Sequence, residues 1–293
     1  MTDSTVSPDL PADTRLGRTA LRVDDLEAMI DFYRTVVGLE LFDRRADGAT
    51  LGVDNTPLLE LDRDSDAPPR ERNQAGLFHN AFLVPSRTAL GAALERVQDH
   101  WRLDGASDHR VSEALYLSDP EGNGIEIYRD RPRDQWPRTA DGGVEMPTLP
   151  LDLDDVASAS DGAPVAPEGT TLGHVHLEVT SIAETRRFYV ETLGFDVQMD
   201  VGSALFVSAG GYHHHFGLNA WNGRSAPAGG RGLAWVEIVV PGGDALDRFR
   251  ERLEGAEIDA SDVDPGDPDN GQSAIHVVDP NGIPLRVRVD PSC

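Results

Sequence analysis

The chain of 293 residues is long enough for two domains of ordinary size, and 39% of its residues are apolar. That share is too high for a disordered protein, and no apolar run approaches the roughly 18 residues that cross a bilayer. The formal net charge of −25 argues against nucleic-acid binding, because contacts to phosphates require a basic face. We therefore expect a globular protein that has neither a membrane nor a nucleic acid among its partners.

The basic residues have an unusual composition, because all 26 are arginine and the chain contains no lysine. Self-repulsion from so large a net charge is tolerated mainly where concentrated salt shortens the range of charge interactions to a few ångström. The composition therefore favours a halophilic source with a high internal salt concentration.

The two ends of the chain bear on its location and its cofactors. The first residues, MTDSTVSPDLPADT, are acidic and polar, whereas a secretory signal has a basic start and an apolar stretch. We therefore expect a cytoplasmic protein. Cys293 is the only cysteine, so histidines and carboxylates, rather than thiolates, must hold any metal ion.

An internal repeat organises the chain, and its first copy begins at Leu16. The segment LGRTALRVDDLEAMIDFYRTVVGLEL aligns without a gap on LGHVHLEVTSIAETRRFYVETLGFDV, so that Leu16 corresponds to Leu172 and Gly38 to Gly194. After an alternating strand, apolar residues recur at helical spacing: Leu26, Met29, Ile30, Tyr33 and Val37. The pattern predicts a helix that ends at the glycine and is followed by further strands.

Two more units of the same βαβββ kind begin near Gly76 and Gly232, and they end in DPEGNGIEIY and DPNGIPLRV. The predicted fold class is therefore α+β, with four modules in two domains. The predicted divisions are a flexible tail at 1–15, a first domain at 16–130 with modules 16–62 and 76–130, a linker at 131–170, and a second domain at 171–290 with modules 171–220 and 231–290. The linker is rich in Pro, Gly, Ser and Asp.

These motifs resemble those of the vicinal-oxygen-chelate superfamily, which includes glyoxalases, extradiol dioxygenases and bleomycin-type binding proteins. The FY pair with its following glycine and the ending D-P-x-G-N-x-I-E carry the resemblance, which covers nearly the whole chain outside the tail and linker. It implies glyoxalase-like domains whose curved mixed sheets surround a metal ion. The strings SEALYLSDP, GNGIEIYRDRPRDQW and SAGGYHHHFGLN are most similar to those of catechol 2,3-dioxygenase-like proteins.

In that superfamily the metal ligands lie on the first and last strands of a module, and only modules two and three offer imidazole at the opening position. His79 and His174 occupy opening strands, and Glu126 occupies the closing strand of module two. Two imidazoles and one carboxylate suit iron(II), while manganese(II), zinc(II) and nickel(II) accept the same donors. The matching positions in modules one and four hold Arg18 and Arg286. This set requires modules two and three to pair, either within one chain or across a homo-oligomer.

The resemblance also implies roles in ring cleavage for residues around the metal. A catalytic histidine is expected in the string HHHFGLN, at His215 or at His214, where it would stabilise developing negative charge and deliver a proton. Tyr116, ten residues before Glu126, would donate a hydrogen bond to a substrate oxygen. His109 and His214 are predicted to bind substrate.

The implied activity is extradiol ring cleavage of a catechol-like aromatic diol with O2. A glyoxalase-like lyase or isomerase is one alternative. It would need Glu60 of module one as a second carboxylate, although the partner strand of Glu60 offers Arg18 and not a metal ligand. A metal-free small-molecule-binding protein is another, and it would hold His79 and His174 too far apart to share an ion. His176 alternates onto the same strand face as His174 and competes with it as a ligand.

Overall fold

The computed structural model describes residues 10–140, 142–263 and 274–290. Within these ranges the chain forms sixteen β-strands, which are divided equally between two mixed sheets. The α+β class and the four βαβββ modules are therefore confirmed. Residues 1–9 of the predicted tail and Cys293 lie outside the described residues. No helix in the described ranges is both long and apolar enough to span a membrane.

The first two modules have the same order of elements. Module one comprises β1 (Arg15–Val23), α1 (Leu26–Phe32), β2 (Glu40–Arg44), β3 (Gly48–Val53) and β4 (Thr56–Arg63). Module two comprises β5 (Gly76–Leu83), α2 (Arg87–His100), β6 (Gly105–Asp108), β7 (Ser112–Ser118) and β8 (Gly124–Asp130). The linker contains a 3-10 turn (Arg133–Gln135) and α3 (Leu153–Ser158).

The last two modules repeat this order. Module three comprises β9 (Thr171–Glu178), α4 (Ile182–Arg186), β10 (Asp196–Asp200), β11 (Ala204–Ser208) and β12 (Phe216–Asn219). Module four comprises β13 (Gly232–Val240), α5 (Gly243–Gly255), β14 (Ala260–Asp262), β15 (Ala274–Val278) and β16 (Pro284–Val289).

The strand order joins the modules crosswise. One sheet has the order β14-β15-β16-β13-β1-β4-β3-β2, and the other has the order β10-β11-β12-β9-β5-β8-β7-β6. Module one thus lies beside module four through the antiparallel pair β1 and β13, and module two lies beside module three through β5 and β9. Each predicted domain, 16–130 and 171–290, is divided between both sheets. The pairing of modules two and three that the metal site requires occurs within one chain.

The opening helix shows how the sequence produces the module. The Asp25 side chain accepts a hydrogen bond from the Ala28 backbone N–H and so caps the start of α1. The five apolar residues at helical spacing are all buried, as the pattern predicts. The α-helix itself ends at Phe32, and a π-helical turn (Tyr33–Val37) continues it. Gly38 closes this turn with φ of 89°, a conformation that favours glycine.

The linker packs against the modules. Trp136 and Val144 are buried in a cluster with Val111 and Tyr212. Arg96 of α2 is buried as well, and its guanidinium donates hydrogen bonds to the carbonyl oxygens of Val37 (3.1 Å) and of a linker residue, Ala163 (2.9 Å). The linker is therefore held against module two, and Arg96 also connects it to the π-helical turn of module one.

Candidate metal centre

Three neighbouring strands of the second sheet carry the candidate ligands on one face. In the antiparallel register of β5 and β9, His79 lies opposite His176 and Ala81 lies opposite His174. The parallel register of β5 and β8 places Ala81 beside Glu126. Because alternate residues of a strand share a face, this arrangement directs the three imidazoles and the carboxylate towards one another.

The side chains meet at hydrogen-bonding distance. Glu126 Oε2 lies 3.0 Å from His79 Nε2 and 3.2 Å from His174 Nε2. Ligand nitrogens of His79, His174 and His176 all lie within 4.8 Å of one another, and all four residues are buried. The structure therefore brings together the three predicted metal ligands and also the competing His176.

The protonation states suit a cation. Burial raises the pKa of Glu126, but the adjacent His174 and His79 together lower it by more. The pKa of Glu126 therefore lies well below its usual range. Burial lowers the pKa of His174 to about 4 against the opposing effect of Glu126, and it lowers the pKa of His176 well below its usual range. At neutral pH Glu126 is thus a carboxylate, and His174 and His176 are neutral imidazoles, which are the forms that bind metals.

Several ring nitrogens of the cluster lack a hydrogen-bond partner among the described residues. These are His174 Nδ1, His176 Nδ1 and His79 Nε2. The contact of His79 Nε2 with Glu126 is short but lacks hydrogen-bond geometry. Buried polar atoms are normally paired, so an unpaired group of this kind requires an explanation. A cation bound beside Glu126 would satisfy His79 Nε2.

A cavity of about 410 Å³ opens onto this cluster. Its polar lining consists mainly of His79, His109, Tyr116, Glu126, His176 and His214. Its apolar lining consists of Phe78, Val111, Met146, Met199, Val201, Phe206 and Trp221. A few convergent polar groups in a largely apolar cavity are typical of a small-molecule site.

Tyr116 and His109 form a hydrogen-bonded pair on one side of the cavity. The Tyr116 hydroxyl lies 2.7 Å from His109 Nε2, and His109 Nδ1 lies 2.7 Å from the carbonyl oxygen of Pro147. A carbonyl only accepts, so Nδ1 of His109 carries a proton and its Nε2 is free to accept from the tyrosine in the neutral ring. Burial, followed by Glu126, raises the pKa of Tyr116, and the hydroxyl therefore keeps its proton.

The structure places His214, but not His215, beside the cluster. The His214 ring centroid lies 4.1 Å from that of His174, and its Nε2 lies 2.9 Å from His176 Nε2. His215 lines a separate cavity with Thr14 and Tyr212, and its Nδ1 accepts a hydrogen bond from the Ala209 backbone N–H. The catalytic role predicted for His215 therefore has no geometric support, whereas the alternative, His214, is in position.

The sequence did not identify several cavity residues. Phe206 lies on β11, which is buried on both faces, so alternation does not reveal the face that lines the cavity. Met146 and Thr148 come from the linker, which has no strand periodicity. The strand partner of a residue and the path of a linker depend on tertiary packing, and no local pattern in this chain encodes them.

The equivalent position in the other sheet is filled by an ion-pair network. Arg18 lies 2.9 Å from Glu60 and 3.4 Å from Glu237, and the Arg286 guanidinium lies 4.1 Å from the centre of the Trp235 ring. A guanidinium between two carboxylates occupies the place that a metal would take. Glu60 is therefore remote from the histidine cluster and bound to protein.

Comparisons with known proteins agree with this fold. The model of the Glyoxalase/Bleomycin resistance protein/Dioxygenase superfamily matches residues 15–127 and 171–287. A catechol-2,3-dioxygenase of Bacillus subtilis (strain 168) is 41% identical over 253 residues, which cover 83% of this chain and 89% of the relative. A lactoylglutathione lyase of Pseudomonas putida is 27% identical over 148 residues, which cover 40% of this chain and 85% of that protein.

Solved structures show the same architecture at low sequence identity. A putative dioxygenase from Bacillus subtilis superposes with a TM-score of 0.63 at 14% identity, covering 94% of this chain and 85% of that one. Glyoxalase I from Zea mays superposes with a TM-score of 0.57 at 16% identity, covering 94% and 92%. The matched segments include both halves of the repeat, and the chain belongs to the Glyoxalase/Bleomycin resistance protein/Dioxygenase superfamily.

Proposed function

We propose that this protein is a dioxygenase of the extradiol type, which opens the ring of a catechol-like aromatic diol with O2. The observation that carries the proposal is the convergence of two imidazoles and one carboxylate beside a largely apolar cavity, which His79 and Glu126 line. The 41% identity to a catechol-2,3-dioxygenase over most of the chain supports it. We assign His79, His174 and Glu126 as the metal ligands.

The donor set fits iron(II). Two imidazoles and a carboxylate leave open coordination positions, and His79 Nε2, which is unpaired 3.0 Å from Glu126 Oε2, is a nitrogen that a cation would satisfy. When bound, iron(II) would supply the redox chemistry that joins an aromatic diol to O2. Manganese(II), zinc(II) and nickel(II) accept the same ligands, so metal content has to be measured directly.

The protein groups of the cavity supply positioning and proton transfer. His214 Nε2 faces the cluster. Burial and the neighbouring histidines hold the pKa of His214 well below the usual range, so the ring is neutral and an unprotonated Nε2 can accept the proton of a substrate hydroxyl. While the Tyr116 hydroxyl donates to Nε2 of His109, its oxygen accepts a hydrogen bond from a substrate hydroxyl. A proton on Nε2 of His109 would reverse that contact and let Tyr116 donate to a substrate oxygen.

The two alternative functions fit the geometry less well. A glyoxalase-like lyase needs Glu60 as its second carboxylate, but Glu60 is hydrogen-bonded to Arg18 in the other sheet. A metal-free binding protein would separate His79 from His174, whereas their ligand nitrogens lie within 4.8 Å. The similarity to lactoylglutathione lyase covers only 40% of this chain.

The test uses protein purified anaerobically and loaded with iron(II) in high salt. We expect about one iron per chain and catechol-dependent O2 uptake, both lost in Glu126→Gln. Glu60→Gln is the matched control because the amide oxygen in this variant still accepts from Arg18. Metal binding without O2 uptake would overturn the dioxygenase proposal. Metal loss in Glu60→Gln but not in Glu126→Gln would overturn the ligand assignment.

A further inference from the structure

A chain of hydrogen bonds runs from the cavity to the protein surface. His214 lines the cavity, and its Nδ1 lies 2.7 Å from Nδ1 of His213. The His213 ring is fully buried, and its Nε2 lies 3.0 Å from Asp130 Oδ1. The Asp130 side chain is 24% exposed and stands at the end of β8, the strand that also carries Glu126.

With one proton on each imidazole, the chemistry of these groups permits a single order of protons. An ionised Asp130 only accepts, so Nε2 of His213 carries a proton. When His213 carries only that one proton, its Nδ1 is an acceptor, and Nδ1 of His214 must donate to it. The remaining nitrogen of neutral His214, Nε2, is unprotonated and is the one that faces the cavity and His176. The contact of His214 with His213 and the contact of His213 with Asp130 then each contain one proton.

The surroundings hold His213 in place. Its ring packs against Tyr212, with centroids 4.1 Å apart, and against Trp136 of the linker, with centroids 5.2 Å apart. The loop before it is fixed by the Ser208 hydroxyl, which donates to the carbonyl oxygen of Tyr212 at 2.6 Å. Because the His213 ring cannot turn, the hydrogen bond that Asp130 accepts at one nitrogen determines what the other nitrogen offers to His214.

We propose that Asp130 and His213 are positioning residues that hold His214 in the tautomer with a protonated Nδ1 and an unprotonated Nε2 facing the cavity. Neither residue lines the cavity, so each acts through His214. The consequence for catalysis, a base ready to accept a substrate proton, rests on the proposed function. The tautomer itself does not, because it follows from the hydrogen bonds of a His213 that carries one proton.

The decisive measurement is nitrogen-15 NMR of histidine-labelled, metal-free protein, in which protonated and unprotonated ring nitrogens are distinguished by chemical shift. The His214 signals are assigned by their loss in His214→Asn. We expect a protonated Nδ1 in the wild type and a mixture of tautomers in Asp130→Leu. Asp108→Asn is the matched control, because Asp108 has a similar exposure and pairs with Arg131.

A pair of variants at His213 separates proton order from packing. Asparagine places its amide oxygen close to the position of imidazole Nδ1, so His213→Asn retains the acceptor and should preserve the tautomer, whereas His213→Leu should not. In the iron-loaded enzyme we expect Asp130→Leu and His213→Leu to lower kcat by about 10- to 1000-fold with little change in KM or metal content. His213→Asn should recover most of the rate.

A protonated Nε2 of His214 in the wild type would overturn the proposal, and so would an unchanged tautomer in Asp130→Leu. A wild-type protein that shows the expected tautomer but consumes no O2 with catechol would refute the proposed function and leave the tautomer assignment intact.

Discussion

His79 and His176 lie directly opposite each other on β5 and β9, and their imidazole rings stack with centroids 4.3 Å apart. These residues come from different copies of the repeat, so the contact exists only because modules two and three share a sheet. Ala81 of β5 lies between His174 of β9 and Glu126 of β8, which brings these two side chains together. The candidate metal centre is thus a product of the crosswise pairing of the modules.

The placement of the two neighbouring histidines leads to opposite expectations for activity. We expect His214→Asn to lower kcat by about 100-fold or more, because it removes the imidazole that faces the cluster. His215→Asn should retain most of the activity, since His215 lines another cavity and the asparagine oxygen still accepts from Ala209. Steady-state O2 uptake at equal metal content measures both. The reverse pattern would restore the catalytic assignment of His215.

The fold could be predicted because it depends on local patterns, and the proposed ligand set came from the resemblance to the vicinal-oxygen-chelate superfamily. The repeat with FY and glycine marks each module, and the opening and closing strand positions mark His79, His174 and Glu126, which the structure brings together. The orientation of residues 213–215 could not be predicted, because β12 begins only at Phe216 and strand alternation does not apply before it. The ligand set required modules two and three to pair, but the sequence left open whether they do so within one chain or across a homo-oligomer, because that depends on tertiary packing.

The stability of the metal-free protein should depend on pH through His215. Burial, followed by His213, His174 and Arg133, lowers its pKa from 6.5 to about 3. The unfolded chain therefore binds a proton at a higher pH than the folded protein does. The stabilisation that accompanies neutral His215 is complete above pH 6.5 and is lost as pH falls towards 3, by up to roughly 4 to 5 kcal/mol.

Urea unfolding of the metal-free protein between pH 7 and pH 4.5 measures this dependence. We expect His215→Asn to lose less stability than the wild type as pH falls, because one group that binds protons on unfolding has been removed. His100→Asn is the control, because His100 is exposed at the end of α2. Identical pH dependence in the wild type and His215→Asn would contradict the prediction.

The cavity leaves room for more than one aromatic ring. Its volume is about 410 Å³, whereas a cavity of roughly 150 Å³ already accommodates benzene. Trp221, which is 50% exposed, and Val201, which is 56% exposed, line the same cavity, and Trp221 contacts Phe78 edge-on at 5.6 Å. We therefore expect catechols with an apolar substituent to have a lower KM than catechol itself.

Trp221→Ala should raise KM for a substituted catechol by about 5- to 10-fold, which corresponds to roughly 1 kcal/mol of lost aromatic contact, and should change kcat little. Trp101→Ala provides a control at another exposed tryptophan, which packs against Phe32 outside the cavity. Equal KM values in Trp221→Ala and the wild type would show that substrate does not reach this side chain.

The net charge of −25 predicts that the folded protein gains stability from salt. Repulsion among the surface carboxylates favours the unfolded chain, and raising the salt concentration from about 0.1 M to 1 M shortens the screening length from roughly 10 Å to 3 Å. We therefore expect the thermal midpoint to rise with KCl up to molar concentrations. Differential scanning calorimetry across a KCl series measures the effect.

Helix α5 offers a variant that tests the cause, because Asp247, Glu251 and Glu254 are exposed on it. Replacing all three with their amides lowers the negative charge by three, and like charges at helical spacing repel one another. We expect this variant to be more stable than the wild type in dilute buffer and to gain less from added KCl. A salt dependence as steep as that of the wild type would indicate that ion-specific hydration, rather than charge repulsion, is responsible.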